Sequence, residues 1–328
     1  LIGAFEIGLL YAVVALGVYL TFRVLNFPDL TVDGSFVTGA AVATLLLTKG
    51  YNPALAMCAA FAAGMVAGAI TGLLHTKLNI DGLLAGILMM IALWSVNLRI
   101  LGLANGSQSA ANVSLRSHET LLDIMMDAKL KGTWTGVLIL FAGVLLIKLI
   151  IDWFLATDRG LALQATGNSE QMIRSFGVNT DNQKILGLAL SNGLVALGGS
   201  LVAQYVDATD ISLGVGVILV GLASVILGQA FFGNRRVWLA TLGVVVGAVL
   251  YRLIVLWALQ LGLENSDVRL MNAVIVVVAI LIPQTGVARR LGLTSLFGRR
   301  RKAQVIGVDP GAETESSPAT PAVSKGTK

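Results

Sequence analysis

Charge is what this sequence has least of. Of 328 residues only 12% are Asp, Glu, Lys or Arg, whereas 56% belong to the Ala, Val, Ile, Leu, Met, Phe, Trp, Tyr and Cys set. Mean hydropathy is +0.83. An average soluble domain carries about 25% charged residues, and a soluble fold of this length cannot cover its surface with half of that. The apolar excess has to face lipid, which excludes a secreted, cytosolic or DNA-binding domain. Cysteine occurs once, at Cys58, so there is no disulfide framework, and the residue reads as a small packed side chain. The two histidines, His75 and His118, stand far apart, and no H-x-x-x-H or C-x-x-C spacing exists, so no metal site is expected. Neither G-x-S-x-G nor G-x-x-x-x-G-K-[ST] is present, which leaves no catalytic residues to nominate and no phosphate loop for hydrolysing ATP. Acidic residues do not recur at span centres as a proton-driven device would require. By elimination, the expected work is movement of a solute across a bilayer.

What is present is a series of apolar runs. A membrane helix needs about 20 mainly apolar residues. On that basis nine spans are expected, at 1–22, 33–48, 53–75, 82–104, 134–156, 185–206, 212–232, 237–261 and 270–288. The expected fold is therefore an all-α polytopic bundle occupying residues 1–290. The second run is short and the seventh is rich in glycine, so both are candidates for broken or re-entrant segments. The first run lacks a positive leader and an A-x-A site, and reads as a span rather than a signal peptide. Gly64-x3-Gly68-x3-Gly72 and Gly243-x3-Gly247 place small residues on single helix faces, as close helix packing in lipid requires. The five tryptophans fall mostly near span ends, in keeping with an interfacial belt.

Net charge is +5, and it comes from the C-terminal region: residues 289–328 hold eight Lys/Arg against three acids. The sequence pI near 9.5 is thus no nucleic-acid footprint. A basic cluster after the last span reads as an anchor to anionic lipid, and residues 291–328 are expected to be a disordered tail. Arg159, Arg174 and Lys184 suggest that the loop 157–184 is cytoplasmic. Alternation then puts Arg23, His75, Lys77 and the basic tail on the same side, with the N-terminus outside and the C-terminus inside.

The loop 157–184 carries the most information. Asn168 suits an N-cap, Gln171 sits three residues on as in a capping box, and Gly177 suits a left-handed stop. These signals predict a helix over Ser169–Phe176, too short to stand unaided. Met172 and Phe176 lie four residues apart on one face, flanked by Glu170 and Arg174. Such a helix either docks on its own bundle or presents an apolar knob to a partner.

The stretch Ala165-Thr-Gly-Asn-Ser-Glu-Gln-Met-Ile-Arg-Ser-Phe-Gly-Val178 resembles the coupling-helix motif A-x-G-x-N-x-x-A-A-R-x-x-G-[IV] of permeases in the branched-chain amino acid/ribose group of ABC importers. It departs at Met172 and Ile173, where the motif has small residues, and its Asn comes one place early. Asn26-Phe-Pro-Asp-Leu-Thr-Val-Asp-Gly-Ser-Phe36 is similar to the segment that opens the second span in that family. Together with Gly214–Gln229 it looks closest to the uncharacterised or tryptophan/tyrosine-type subgroup, which usually has Glu where Gln229 stands. The resemblance covers roughly residues 1–290.

The resemblance implies a homodimeric permease in a bacterial inner membrane, served by separate ABC ATPase subunits and an extracytoplasmic solute-binding protein. No cofactor belongs to this chain itself; ATP and Mg would sit on the ATPase. Gly167, Asn168, Ser169, Glu170, Gln171, Met172, Arg174, Phe176 and Gly177 become the expected ATPase-coupling residues. By subgroup likeness alone the substrate is an amino acid, with aromatic ones as candidates. The alternative is a stand-alone carrier or channel for a small polar solute.

Polar groups in lipid are costly and therefore mark candidate sites. Asn26, Asp29, Asp33, Asn97 and Arg252 are the candidate pathway residues, with helix capping as the other reading for the two aspartates and a buried structural charge as the other for Arg252. Glu6 would pair with Arg252 only if their depths agree. Gln204, Asp207 and Asp210 are expected at the outer mouth, as contacts for a binding protein or as solvated loop groups.

Overall fold

The computed structural model describes residues 2–116, 120, 132–232, 236–260, 270 and 273–277. Among them, eight helical segments are long and apolar enough to cross a bilayer: Ile2–Val24, Thr31–Thr48, Pro53–Lys77, Gly82–Ala104, Trp134–Ala156, Thr180–Val206, Ile211–Phe232 and Val237–Gln260. These coincide with eight of the nine expected spans. Of the ninth, only residues 270 and 273–277 are described, all helical, and Ile275 and Val276 pack on the core. The tail 291–328 lies outside the described residues.

In chain order the elements are α1 (Ile2–Tyr19), which runs into a π-helical turn (Leu20–Val24), α2 (Thr31–Thr48), α3 (Pro53–Lys77), α4 (Gly82–Ala104) and β1 (Asn112–Ser114). They continue with α5 (Trp134–Ala156), α6 (Asp158–Asn168), α7 (Glu170–Ser175), α8 (Thr180–Val206) and β2 (Ala208–Asp210). A 3-10 turn (Ile211–Gly214), α9 (Val217–Phe232) and α10 (Val237–Gln260) complete the described chain. The second span is an unbroken helix. The seventh is broken: the 3-10 turn ends at Gly214, Gly216 takes φ +84°, and α9 begins only at Val217. Its other end lies beside the start of α10, so the segment as a whole is long enough to cross.

The centre of the bundle is α1, α2 and α8, each buried along most of its length, and α3, α4, α5, α9 and α10 surround it. Small residues make this possible. A Cβ on Gly39 of α2 would overlap the Ala196 carbonyl oxygen of α8, and a Cβ on Gly199 would overlap that of Phe36, so the two backbones touch. The Gly64, Gly68, Gly72 face of α3 lies on α8 in the same way, and Gly228, Gly243 and Gly247 bring α9 against α10. In lipid such contact supplies dispersion energy where no water is available to drive association. All five tryptophans are exposed, and so is Cys58 on α3. The expectation of a packed Cys58 is therefore corrected: its side of α3 turns away from the bundle.

The bundle has two ends. One carries α6 and α7 together with Arg23, His75, Lys77 and Lys184; at the other, β1 pairs antiparallel with β2, Val113 opposite Thr209. Two further backbone bonds, from Leu115 to the Asp207 carbonyl (2.9 Å) and from Ile211 to the Ala111 carbonyl (2.9 Å), extend this small clasp.

Candidate functional site

The loop between α5 and α8 folds as two helices. Thr157 caps α6, its Oγ1 accepting from the Gly160 amide at 3.3 Å, and α6 runs through Asn168. Asn168 therefore closes a helix instead of opening one. The N-cap position of α7 falls to Ser169, which makes no side-chain capping bond, and Gln171 is not part of a capping box. The predicted helix Ser169–Phe176 is accordingly shorter, Glu170–Ser175. Its end matches the expected stop: Gly177 has φ +83°, its amide donates to the Arg174 carbonyl and that of Val178 to the Ile173 carbonyl, which is a Schellman closure. Gly167 sits against the Val24 and Leu25 backbone, so the end of α6 abuts the end of the first span.

No residue of α7 is buried, and polar bonds hold it in place. Glu170 Oε2 accepts from Lys184 Nζ at 2.8 Å, and Oε1 accepts from Arg174 (2.9 Å) and from the Thr180 hydroxyl (3.1 Å). Arg174 also donates to Asp181 (2.9 Å) and to Thr180 (2.7 Å). Lys184 lies 3.4 Å from the His75 Nε2, which joins this network to the end of α3. The Lys184 bond is the main cause holding the Glu170 carboxyl below its usual range, opposed by partial burial and helped by the Lys184 charge, Thr180 and Arg174. With its polar groups so engaged, α7 turns Met172 (52% exposed) and Phe176 (74% exposed) outward.

The candidate pathway residues do not form one group. Asn26 is exposed at φ +53° and closes the π-helical turn, so it serves the backbone and does not enter the bundle. Asp29 is fully buried, accepting from the Thr31 amide at 2.9 Å and from Asn192 of α8 at 2.7 Å. Asp33 accepts from the amides of Gly216 (3.0 Å) and Ile218 (2.8 Å). It caps a helix, but that helix is α9, 183 residues further along the chain. Asn97 is buried and donates to the Gly34 carbonyl at 3.2 Å, tying α4 to α2. These three cluster about the start of α2. Arg252 stands apart on α10, its guanidinium 4.1 Å from the Tyr11 ring centre, and Tyr11 in turn stacks on Phe36. Glu6 does not pair with it; its carboxylate takes the Gly132 amide (3.0 Å) and the Tyr205 hydroxyl (2.7 Å).

At the other end, Gln204 is completely buried within α8, so it is not presented at a mouth. Asp207 ends α8 at φ +56°, and Asp210 accepts from the Ser212 amide and hydroxyl. Both are partly exposed. One polar group escaped the sequence reading altogether. In α5, buried Lys148 and partly exposed Asp152 form an ion pair of 2.5 Å, Thr241 of α10 donates to Asp152 at 2.7 Å, and Lys148 lies 5.8 Å from the Trp238 ring centre. The signal was available as opposite charges four apart in an otherwise apolar run.

Comparison with known proteins places this bundle among the permeases. Residues 3–283 match the family described as branched-chain amino acid transport system / permease component, and the chain belongs to that family. It is therefore the permease component of an ABC transporter. It is 37% identical over 270 residues to the tyrosine transport system permease protein of Clostridioides difficile strain R20291, covering 82% of this chain and 86% of that one. It is 32% identical over 285 residues to an uncharacterised protein of Rickettsia prowazekii, covering 85% and 96%. The ribose import permease protein of Escherichia coli strain K12 is 25% identical over 258 residues, covering 77% and 76%.

Proposed function

We propose that this chain is the membrane path of an importer for an amino acid, aromatic ones included, driven by two separate ATPase subunits that grip α7. The observation that carries the reading is the lever itself. A six-residue helix far below the length of independent stability is fixed by Glu170, Arg174, Thr180, Asp181 and Lys184, and two large apolar side chains are left uncovered. An uncovered apolar pair on a rigid polar mount suits a socket on another protein. Gly167, Asn168, Ser169, Gln171 and Gly177 set its position and direction. The 37% identity to a tyrosine transport permease supports the substrate class.

In this reading the end bearing α6 and α7 faces the cytoplasm of a bacterium, the N-terminus lies outside and the C-terminus inside, and the membrane is the inner one. Two copies of the chain enclose the path, and a solute-binding protein docks at the β1–β2 clasp beside Asp207 and Asp210. ATP and Mg belong to the ATPases. Closure of the ATPase pair displaces α7, and α8, which receives the push through Lys184, shifts the packing at Asp29 and Asn192 between two arrangements. Asp29, Asp33 and Asn97 act as the joints between α2, α4, α8 and α9, and Arg252, held over the Tyr11 ring, is the pathway group assigned to meet a carboxylate.

The test is reconstitution of the chain in vesicles with its ATPase and binding protein, with uptake of radiolabelled tyrosine measured. Uptake that requires ATP supports the reading. Uptake by the chain alone under an ion gradient would refute it.

A further inference from the structure

We propose that Arg99 and the loop after α4 form a binding site for the phosphate of a membrane lipid, at the end of the bundle that bears the β clasp. Arg99 is exposed on α4, on a surface with exposed Val96 and Leu103, and it has no acidic partner among the described residues. It lies five residues before the helix end, Ala104, hence about 7.5 Å below it. At that depth a guanidinium needs either an anion or an upward bend toward the headgroups.

The loop supplies the second wall. After Ala104 the chain turns through Gly106 (φ +69°) and runs back along α4 instead of leaving it. The Ser107 amide donates to the Gly102 carbonyl (2.9 Å) and the Ala110 amide to the Leu98 carbonyl (3.2 Å). Gly102 permits this, because a Cβ there would overlap the Ser109 backbone. The pairing of β1 with β2 then fixes the far end of the loop. Between loop and helix lies an open hollow of about 680 Å³, lined by Arg99, Leu103, Gly106, Ser107 and Gln108.

The lining fits a lipid better than a water-soluble solute. One side offers a guanidinium, which binds phosphate oxygens in a fork, with the Gln108 amide beside it, while the Ser107 hydroxyl donates to the Ser109 carbonyl (3.2 Å) and holds the loop. The other side, Leu103 and Val96, continues down α4 as apolar surface on which an acyl chain can lie. The site does not depend on what the protein transports.

The experiment is native mass spectrometry of the full chain in detergent, with phosphatidylglycerol, a glucosyl diacylglycerol of the same acyl chains, or inorganic phosphate added. The wild type should retain phosphatidylglycerol and not the phosphate-free lipid. Arg99→Ala should lower that retention on the order of fivefold, and Arg99→Lys, which keeps the charge but not the fork, should restore only part of it. Gln108→Ala, which leaves the helix untouched, should weaken binding should Arg99→Ala fail to fold. Equal retention of both lipids, or unchanged retention in Arg99→Ala, would overturn the proposal. So would inorganic phosphate that binds the wild type as strongly as the lipid and displaces phosphatidylglycerol, since the site would then be one for a free anion.

Discussion

Replacing Asp33 with Ala would strip α9 of a cap that its own sequence does not provide. The Gly216 and Ile218 amides, now 3.0 and 2.8 Å from the carboxylate, would lose their acceptor. A buried donor left unsatisfied costs about 1–3 kcal/mol. Ile218 is buried and Gly216 only partly so, which puts the loss at about 2–4 kcal/mol. Asn at the same place keeps one oxygen and should lose about half of that. The effect should be local first, because the next amides, Leu219 and Val220, bond to the Gly216 carbonyl at 3.1 and 3.4 Å and open with it. A loss of about 2 kcal/mol corresponds to roughly 30-fold faster exchange in that turn. Hydrogen–deuterium exchange of a peptide spanning 214–222 reads this directly, with the Asn variant intermediate. Wild-type protection in Asp33→Ala would refute the assignment of Asp33 as the cap of α9.

Three further outcomes follow from the same geometry. Removing Asp152 alone should lower Tm in detergent strongly, at a cost of about 3–5 kcal/mol, because Lys148 is left as an unpaired buried charge; removing Lys148 alone should cost less, because Asp152 is partly exposed and keeps its Thr241 bond, and Lys148→Met with Asp152→Leu should recover most of the loss. Glu170→Gln should loosen α7 by under about 1 kcal/mol, since Glu170 and Arg174 are partly solvated and Gln keeps an acceptor, and proteolysis within 168–178 should quicken without change in global Tm. Because the Glu170 carboxyl is held below its usual range, its contribution is fully present above the unfolded-state value and disappears as pH falls through the folded-state one. The same proteolysis should therefore quicken in the wild type as pH falls below the ordinary glutamate range, and should respond more weakly to pH in Glu170→Gln, where Arg174 keeps its bond to Asp181.

Span positions were legible in the sequence because a bilayer demands about 20 apolar residues and the polar links between runs are short. The faces of those spans were not. Lipid and protein interior are equally apolar, so periodicity cannot say that Cys58 turns outward while Gly64 and Gly68 turn inward; only the small-x3-small spacing gave the second away. The aspartates were readable as candidate caps or pathway groups, but the helix that Asp33 caps lies 183 residues on, and no local pattern encodes that. The pairing of Val113 with Thr209 was hidden for the same reason, as was burial of Gln204, which looks like a rim residue from its neighbours Asp207 and Asp210. At the lever, Gly177 marked the stop because its positive φ has few other hosts. The start was misplaced because Asn168 and Ser169 are both good caps and the choice between them depends on α6, whose tight contact at Gly167 extends it to Asn168.

The claim on which the functional reading turns is that α7 is gripped by an ATPase through Met172 and Phe176. Its most direct test is co-purification of the ATPase with the Met172→Asp, Phe176→Asp double variant, in which both side chains are exposed and neither supports the bundle. The account predicts that the variant reaches the membrane, keeps the wild-type Tm and no longer retains the ATPase. Undiminished association of the ATPase with this folded variant would contradict it.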